Sequence, residues 1–436
     1  MDWQIVLSLA IGTLMVLFAL GVPVFAAFLA INVAGTFWLM GPAGFGMFTN
    51  SIYDTVTSET LTTIALFVLM GELLFRSGSI DVIFDSLDTL MGRIKGRLYF
   101  FVVALSTLFG ALSGSALAVT AMLCRSALPT MRDRGYDEKL SVGLILGGAG
   151  LAPIIPPSLM VIIIGSLVDV SIAKLLIAGI VPGLILAGLF IAYTLFKISA
   201  DPTAVPPMSA DDQHSRTAAE RWRALGRMLP FSIIIFSVLG LIMLGIATPS
   251  ESAATGVAGA IIVAIIYRRF SLTMAWDSIM SSLGISAMIV AILACSKFFS
   301  QLLSFTGATA GMVQTATELN ASPMVMLLIL MLIPLIACMF IDQIAFMMVV
   351  VPIYAPIVKL YGFDPVWFWT LFLINLAIGS LTPPFGYNLF AAKGSAPWLK
   401  MPVIFSAAIP IVICFLIGLV LFATIPALIT WLPSFI

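Results

Sequence analysis

The sequence predicts an all-α membrane protein of about ten spans, built as two inverted halves that each carry a re-entrant helical hairpin, and three observations lead there. Hydrophobic residues make up 61% of the 436 and charged residues only 9%, against about 25% charged in a soluble domain. So little polar surface cannot cover a globule in water, and lipid must cover the rest. Apolar stretches approaching the roughly 20 residues that a bilayer span requires recur between short polar breaks. Landmarks of the first half also reappear in the second at one constant offset. The alternating pattern of an outer-membrane barrel is absent.

Spans are expected at about 4–20, 23–40, 61–77, 139–168 and 172–197, then at about 229–247, 250–267, 283–303, 366–392 and 402–430. The start, Met1-Asp2-Trp3-Gln4, lacks the positive flank of a cleavable signal, so the first span is expected to be retained. With a periplasmic N-terminus, inside segments receive 16 of the 20 Lys and Arg, among them Arg93, Lys95, Arg216, Arg221, Arg268 and Arg269. The opposite orientation would put them outside, so both termini are predicted to be periplasmic, in a bacterial or archaeal inner membrane. The polar stretch from Lys197 to Arg227, with Pro202, Pro206-Pro207 and Asp211-Asp212, reads as a cytoplasmic linker. The halves are therefore 1–197 and 229–436, joined through 198–228.

Cys124, Cys295, Cys338 and Cys414 lie at wide spacing within apolar segments, which predicts packing roles rather than disulfides or a zinc cluster. The single histidine, His214, falls in the linker, so histidine-based catalysis at membrane depth is excluded. Paired carboxylates beside a nucleophile are also missing, which argues against an intramembrane enzyme. No nucleic-acid partner is expected.

An offset of 227 residues carries Pro129 onto Pro356, Gly135-Tyr136-Asp137 onto Gly362-Phe363-Asp364, and Pro156-Pro157 onto Pro383-Pro384. Five crossings per half is an odd number, so the second copy enters the membrane from the opposite side. In the first half, Tyr99 to Leu112 leads into Ser113-Gly114-Ser115, and Ala116 to Met131 follows. Each leg reaches about 21 to 24 Å, short of a hydrocarbon core of about 30 Å. That predicts a hairpin over about 97–134 dipping in from the cytoplasm, with its counterpart over about 322–361 entering from outside. Two short, tilted crossings are the alternative reading of each.

The second type of break follows each hairpin, at Ala152-Pro153-Ile154-Ile155-Pro156-Pro157-Ser158 and at Gly379-Ser380-Leu381-Thr382-Pro383-Pro384-Phe385-Gly386. Paired prolines remove backbone donors and leave carbonyl oxygens bare. Sodium is a hard cation that takes several oxygen ligands, so each break beside a polar hairpin tip predicts a cation site. Ser113 and Ser115 supply oxygens at the first; Asp342 and Thr382, which align with Ser115 and Ile155, supply them at the second. Asp342 at membrane depth should meet a cation, a proton or a base such as Lys297. A proline kink satisfied by neighbouring hydroxyls and a structural ion pair of Asp342 are the plainer alternatives. Glu251, two residues after Pro249, reads as a helix cap, and Arg125 on the inner hairpin as a snorkelling or locally paired side chain.

Gly110-Ala111-Leu112-Ser113-Gly114-Ser115-Ala116, Pro153-Ile154-Ile155-Pro156-Pro157-Ser158, Thr248-Pro249-Ser250-Glu251-Ser252-Ala253-Ala254 and Thr382-Pro383-Pro384-Phe385-Gly386 occur in this order along nearly the whole chain. In these segments the sequence closely resembles the large permease subunit family of tripartite ATP-independent periplasmic (TRAP) transporters. The resemblance implies an elevator-type transporter that imports a small organic anion with sodium. It further implies a separate small four-helix membrane subunit and a periplasmic substrate-binding protein as partners. By position it implies one sodium site at Ser113, Ser115, Ala152, Ile155 and Pro157, and another at Asp342, Gly379, Thr382 and Phe385. It places the substrate at Gly114, Ser115, Pro156, Ser158, Pro383 and Asn388. A stand-alone sodium- or proton-coupled anion symporter or exchanger of related fold is the alternative.

Overall fold

The computed structural model describes residues 2–77, 82, 86, 89, 90, 96–206 and 217–436. Arg93, Lys95, Pro207, Asp211-Asp212, His214 and Arg216, all assigned to cytoplasmic segments from the sequence, lie outside the described residues.

Among the described residues all regular structure is helical. The first half comprises α1 (Trp3–Ala19), α2 (Val24–Gly35), α3 (Pro42–Val56) and α4 (Glu59–Arg76). The hairpin legs α5 (Arg97–Ser113) and α6 (Ala116–Asp133) follow, then α7 (Glu138–Ala149), α8 (Leu159–Val168), α9 (Ile172–Ala178) and α10 (Ile180–Ala200). The second half comprises α11 (Ala218–Met243), α12 (Pro249–Ile266), α13 (Leu272–Phe305) and α14 (Ala308–Glu318). After it come the hairpin legs α15 (Pro323–Ala337) and α16 (Gln343–Leu360), then α17 (Pro365–Leu381), α18 (Tyr387–Ser395) and α19 (Met401–Thr424).

Local chemistry explains where these helices begin. The Ser115 hydroxyl accepts from the Ala118 amide at 3.3 Å and starts α6, while Asp342 Oδ1 accepts from Ala345 at 3.1 Å and starts α16. Asp137 caps α7 through Leu140 at 2.7 Å, and Asp364 caps α17 through Trp367 at 2.8 Å. Each pair of caps is separated by the same 227 residues, as are Gly135 and Gly362, both at positive φ. The Pro156-Pro157 and Pro383-Pro384 bonds, both cis, keep that offset too. Glu251 is a cap: its Oε2 accepts from the Thr248 amide at 2.8 Å while its own amide donates to the Thr248 hydroxyl at 3.3 Å, a reciprocal capping box.

Two groups of helices result. In one, α4 packs on α12 and α13, α11 packs on α12, and α2 and α3 lie against α13. In the other, α7 is surrounded by α5, α6 and α19, while α17 packs on α15 and α19, and α18 on α6. The groups meet where α13 touches α16 and where α4 touches α5 and α8. The four cysteines are free and buried.

Two features differ from the sequence expectation. Six helices among the described residues are long and apolar enough to cross a membrane, including the hairpin leg Gln343–Leu360. The stretches at 139–168 and 366–392 are each broken at the double prolines, as the sequence predicts, into α7 with α8 and α17 with α18. Segments outside the expected spans contain α3 and α14. α3 starts at Pro42 after Gly41 at φ +67 and is held on α13 by the Phe48 and Phe298 rings, 4.7 Å apart. The sequence shows no long apolar run there because α3 buries only part of its surface.

Candidate functional site

Each hairpin tip abuts the double-proline break of its own half. On α5, a Cβ at Gly110 would stand 3.0 Å from the Ala152 Cα, so only glycine permits this approach without displacing the break. At the turn, Gly114 adopts φ +61, and a Cβ there would lie 3.4 Å from the Pro157 carbonyl oxygen. In the second half the small residue sits on the other partner: Gly379 of the break faces Cys338 of the hairpin, whose carbonyl carbon would be 3.0 Å from an added Cβ. The Phe340 and Phe385 rings then close the second tip against its break, 5.6 Å apart, with Phe385 still 56% exposed.

Missing proline amides free the carbonyls of residues four positions earlier: Ala152 and Pro153 in the first break, Gly379 and Ser380 in the second. The two breaks treat them differently. The Ser158 hydroxyl, fully buried, donates to the Pro153 carbonyl at 2.6 Å and also caps α8. The Gly379 carbonyl accepts from the Thr382 amide at 3.2 Å, and the Thr382 hydroxyl donates to Ile378 at 2.7 Å. These bonds occupy Ser158, Thr382 and Gly379, leaving the Ala152 and Ser380 carbonyls as those that proline alone deprives of a helical donor.

Asp342 is exposed, and one of its oxygens, Oδ1, accepts from both Ile344 at 2.9 Å and Ala345 at 3.1 Å. Its partners are thus backbone amides rather than Lys297. Beside it, Gln343 is completely buried: its amide donates to the Leu376 carbonyl, and its oxygen accepts from the Tyr387 hydroxyl at 2.8 Å. Asn388, also buried, donates to Ser380 Oγ at 3.1 Å and has its own Oδ1 without a partner. Ser113 ends α5, and Ile155 is half-buried against Gly183 of α10. Pro156 is buried and Pro383 half-buried.

A cavity of about 430 Å³ joins the first tip to the other helix group. Gly114, Ser115 and Pro157 line it from one side, Glu72 of α4 and Ile289 of α13 from the other, and Ile344 at the start of α16 from the second hairpin. The structure thus brings Gly114, Ser115 and Pro157 together; Asp342 and Thr382 belong to the second tip and do not line this space. Glu72 pairs with Arg76 at 2.7 Å, one turn further along α4. Sequence reasoning missed Glu72 and Gln343. A glutamate within the predicted 61–77 span and a glutamine in an apolar leg were the available signals.

A family model described as the DctM component of the tripartite ATP-independent periplasmic transporter matches residues 11–428. The chain is 30% identical over 382 residues to the ectoine/5-hydroxyectoine TRAP transporter large permease protein of Ruegeria pomeroyi, covering 87% of this chain and 88% of that one. It is 29% identical to the C4-dicarboxylate TRAP transporter large permease protein of Pseudomonas aeruginosa, covering 94% of each. It is also 26% identical to the isethionate TRAP transporter permease protein of Oleidesulfovibrio alaskensis, covering 97% of this chain but 65% of that longer one. The crystal structure of the Alcanivorax borkumensis YdaH transporter superposes with a TM-score of 0.64 over 90% of each chain at 14% identity, a likeness of fold.

Proposed function

This chain belongs to the DctM component family of tripartite ATP-independent periplasmic transporters, and from that premise we propose that it is the subunit that carries a small organic anion across the inner membrane with sodium. The observation that carries the proposal is the repeated contact of a hairpin tip with a proline-broken segment, once in each half. In this reading the halves are inverted repeats, both hairpins are re-entrant, and both termini face the periplasm. The α5–α10 and α15–α19 group moves as an elevator against α1–α4 and α11–α14.

Sodium is cargo here, and the donor set fits it. In this reading the Ala152 carbonyl, together with Ile155, Pro157, Ser113 and Ser115, offers neutral oxygens to a hard cation. Asp342 offers the carboxylate oxygen that its cap does not use, near Gly379, Thr382 and Phe385. The substrate anion lies between the tips, bordered by Gly114, Pro156, Ser158, Pro383 and Asn388, with the free Asn388 Oδ1 accepting from a substrate donor or from water. Relatives named for an ectoine, C4-dicarboxylates and isethionate, all small polar organic molecules, support this reading of the solute. A periplasmic binding protein delivers it, and a separate four-helix membrane subunit docks on the static group.

The test is uptake of radiolabelled small carboxylates into proteoliposomes holding this chain, its small subunit and a sodium gradient, with and without the binding protein. Uptake that needs both the gradient and the binding protein supports the proposal. Uptake by the chain alone would make it a self-sufficient symporter or exchanger.

A further inference from the structure

The outer hairpin leg α16 contains two prolines one turn apart, Pro352 and Pro356. The carbonyls of Met348 and Pro352 therefore lose their helical donors. Inside an apolar segment such oxygens need another partner. Met348 has one on a different helix group: Ser296 of α13 donates its hydroxyl to that carbonyl at 2.6 Å, with both residues fully buried. Further along α13, Ser300 and Ser304 follow Ser296 at four-residue spacing, which keeps them near the same face. Ser300, Ser304, Pro352 and Pro356 line one cavity of about 710 Å³. The serine stripe thus continues alongside the same leg beyond the bonded pair, and space is open beside it. In the present arrangement the Ser304 hydroxyl is engaged with Thr309 at 3.2 Å.

We infer that Ser296, Ser300 and Ser304 are positioning residues that form a ladder of donors, along which α16 advances by helical turns during transport. The inference rests on the elevator reading above. A displacement of one turn is about 5 to 6 Å along the axis, and it brings the Met348 carbonyl from Ser296 to Ser300. A second turn brings it to Ser304, which exchanges Thr309 for the carbonyl. Because the donors recur once per turn, each resting position pairs the Met348 carbonyl again, and positions between turns do not. The interface therefore has discrete stops, as helix ratchets between packed elements do. α6, the matching leg of the first half, has one interior proline, Pro129, and its residues at the freed turn, Arg125 and Ser126, are exposed. The ladder belongs to the outer hairpin alone.

The experiment places spin labels on Leu283→Cys in α13 and Ile409→Cys in α19, sites 53% and 52% exposed, in the full chain with its small subunit in lipid vesicles. Pulsed dipolar spectroscopy then records the label separation in sodium chloride and in potassium chloride. Wild type should show two or more separations whose shares change with sodium. Ser296→Ala should lower the share of the separation matching this structure by about fivefold, the value of one typical hydrogen bond, and Ser296→Thr should restore it. Ser300→Ala should deplete a different separation, which a general loss of packing would not do, and it provides the test should Ser296→Ala fail to fold. Unchanged shares in both alanine variants, with wild type still responding to sodium, would overturn the ladder and leave the elevator standing. A wild-type separation that never changes would overturn both.

Discussion

Asp342→Asn separates the two things that Asp342 is able to do. In the structure one carboxylate oxygen holds the Ile344 and Ala345 amides at 2.9 and 3.1 Å. Asparagine has an equivalent oxygen and is as good a cap as aspartate, so α16 should keep its start and stability should change by only about a few tenths of a kcal/mol. What the substitution removes is the charge. A contact involving a charged group contributes about 1.5 to 3 kcal/mol, equivalent to roughly 10- to 150-fold in an affinity. Asp342 is exposed, so solvent screens it and the lower end applies. The half-saturating sodium concentration for uptake into proteoliposomes should rise about tenfold at unchanged melting temperature. Asp342→Ala should add a loss of about 1 kcal/mol of stability by removing the cap. A sodium dependence identical in wild type and in the Asp342→Asn variant would refute the assignment of Asp342 to a cation site and leave it a cap.

Other substitutions follow from contacts in the same region. Ser158→Ala leaves the Pro153 carbonyl buried and unpaired and uncaps α8, so it should destabilise the protein by roughly 2 to 4 kcal/mol in denaturant titrations, while Ser158→Thr should retain most of the stability. Gly379→Val drives a side chain into Cys338 and should cost about 1 to 3 kcal/mol through overpacking, measured by thermal unfolding. Glu251→Ala should lower stability by about 1 kcal/mol without altering sodium dependence, and Glu251→Gln should preserve both. A changed sodium response in Glu251→Gln would show that the capping box is not its whole role.

The parts of this architecture that are legible in the sequence are those fixed by short-range chemistry. Ser113-Gly114-Ser115 marks the first tip because glycine tolerates the positive φ that a tight helical turn needs. Paired prolines mark the breaks because no helix continues through two missing amides, and the spacing from Thr248 to Glu251 announces a capping box. What is not legible depends on distant partners. α3 is a helix because α13 supplies the surface it buries, and Gln343 is tolerated in an apolar leg because Leu376 and Tyr387 satisfy it. Glu72 is, by sequence, a polar residue near the end of a span; only the fold sets Gly114 and Ser115 across a cavity from it. Ser158 and Thr382 resemble ligands from their place beside bare oxygens, and the structure shows how each hydroxyl is already engaged.

The tight contacts at the two tips, Gly110 against Ala152 and Cys338 against Gly379, make the hairpins non-interchangeable in an asymmetric way. Grafting the second hairpin into the first position would set Ala337, the counterpart of Gly110, onto Ala152, whose Cα would stand 3.0 Å from the methyl carbon, so the break would have to shift. The reverse graft would set a small residue opposite Gly379 and leave a void instead. Each arm is keyed to its own socket, so domain-shuffled versions of this protein should tolerate replacement of the second arm better than replacement of the first.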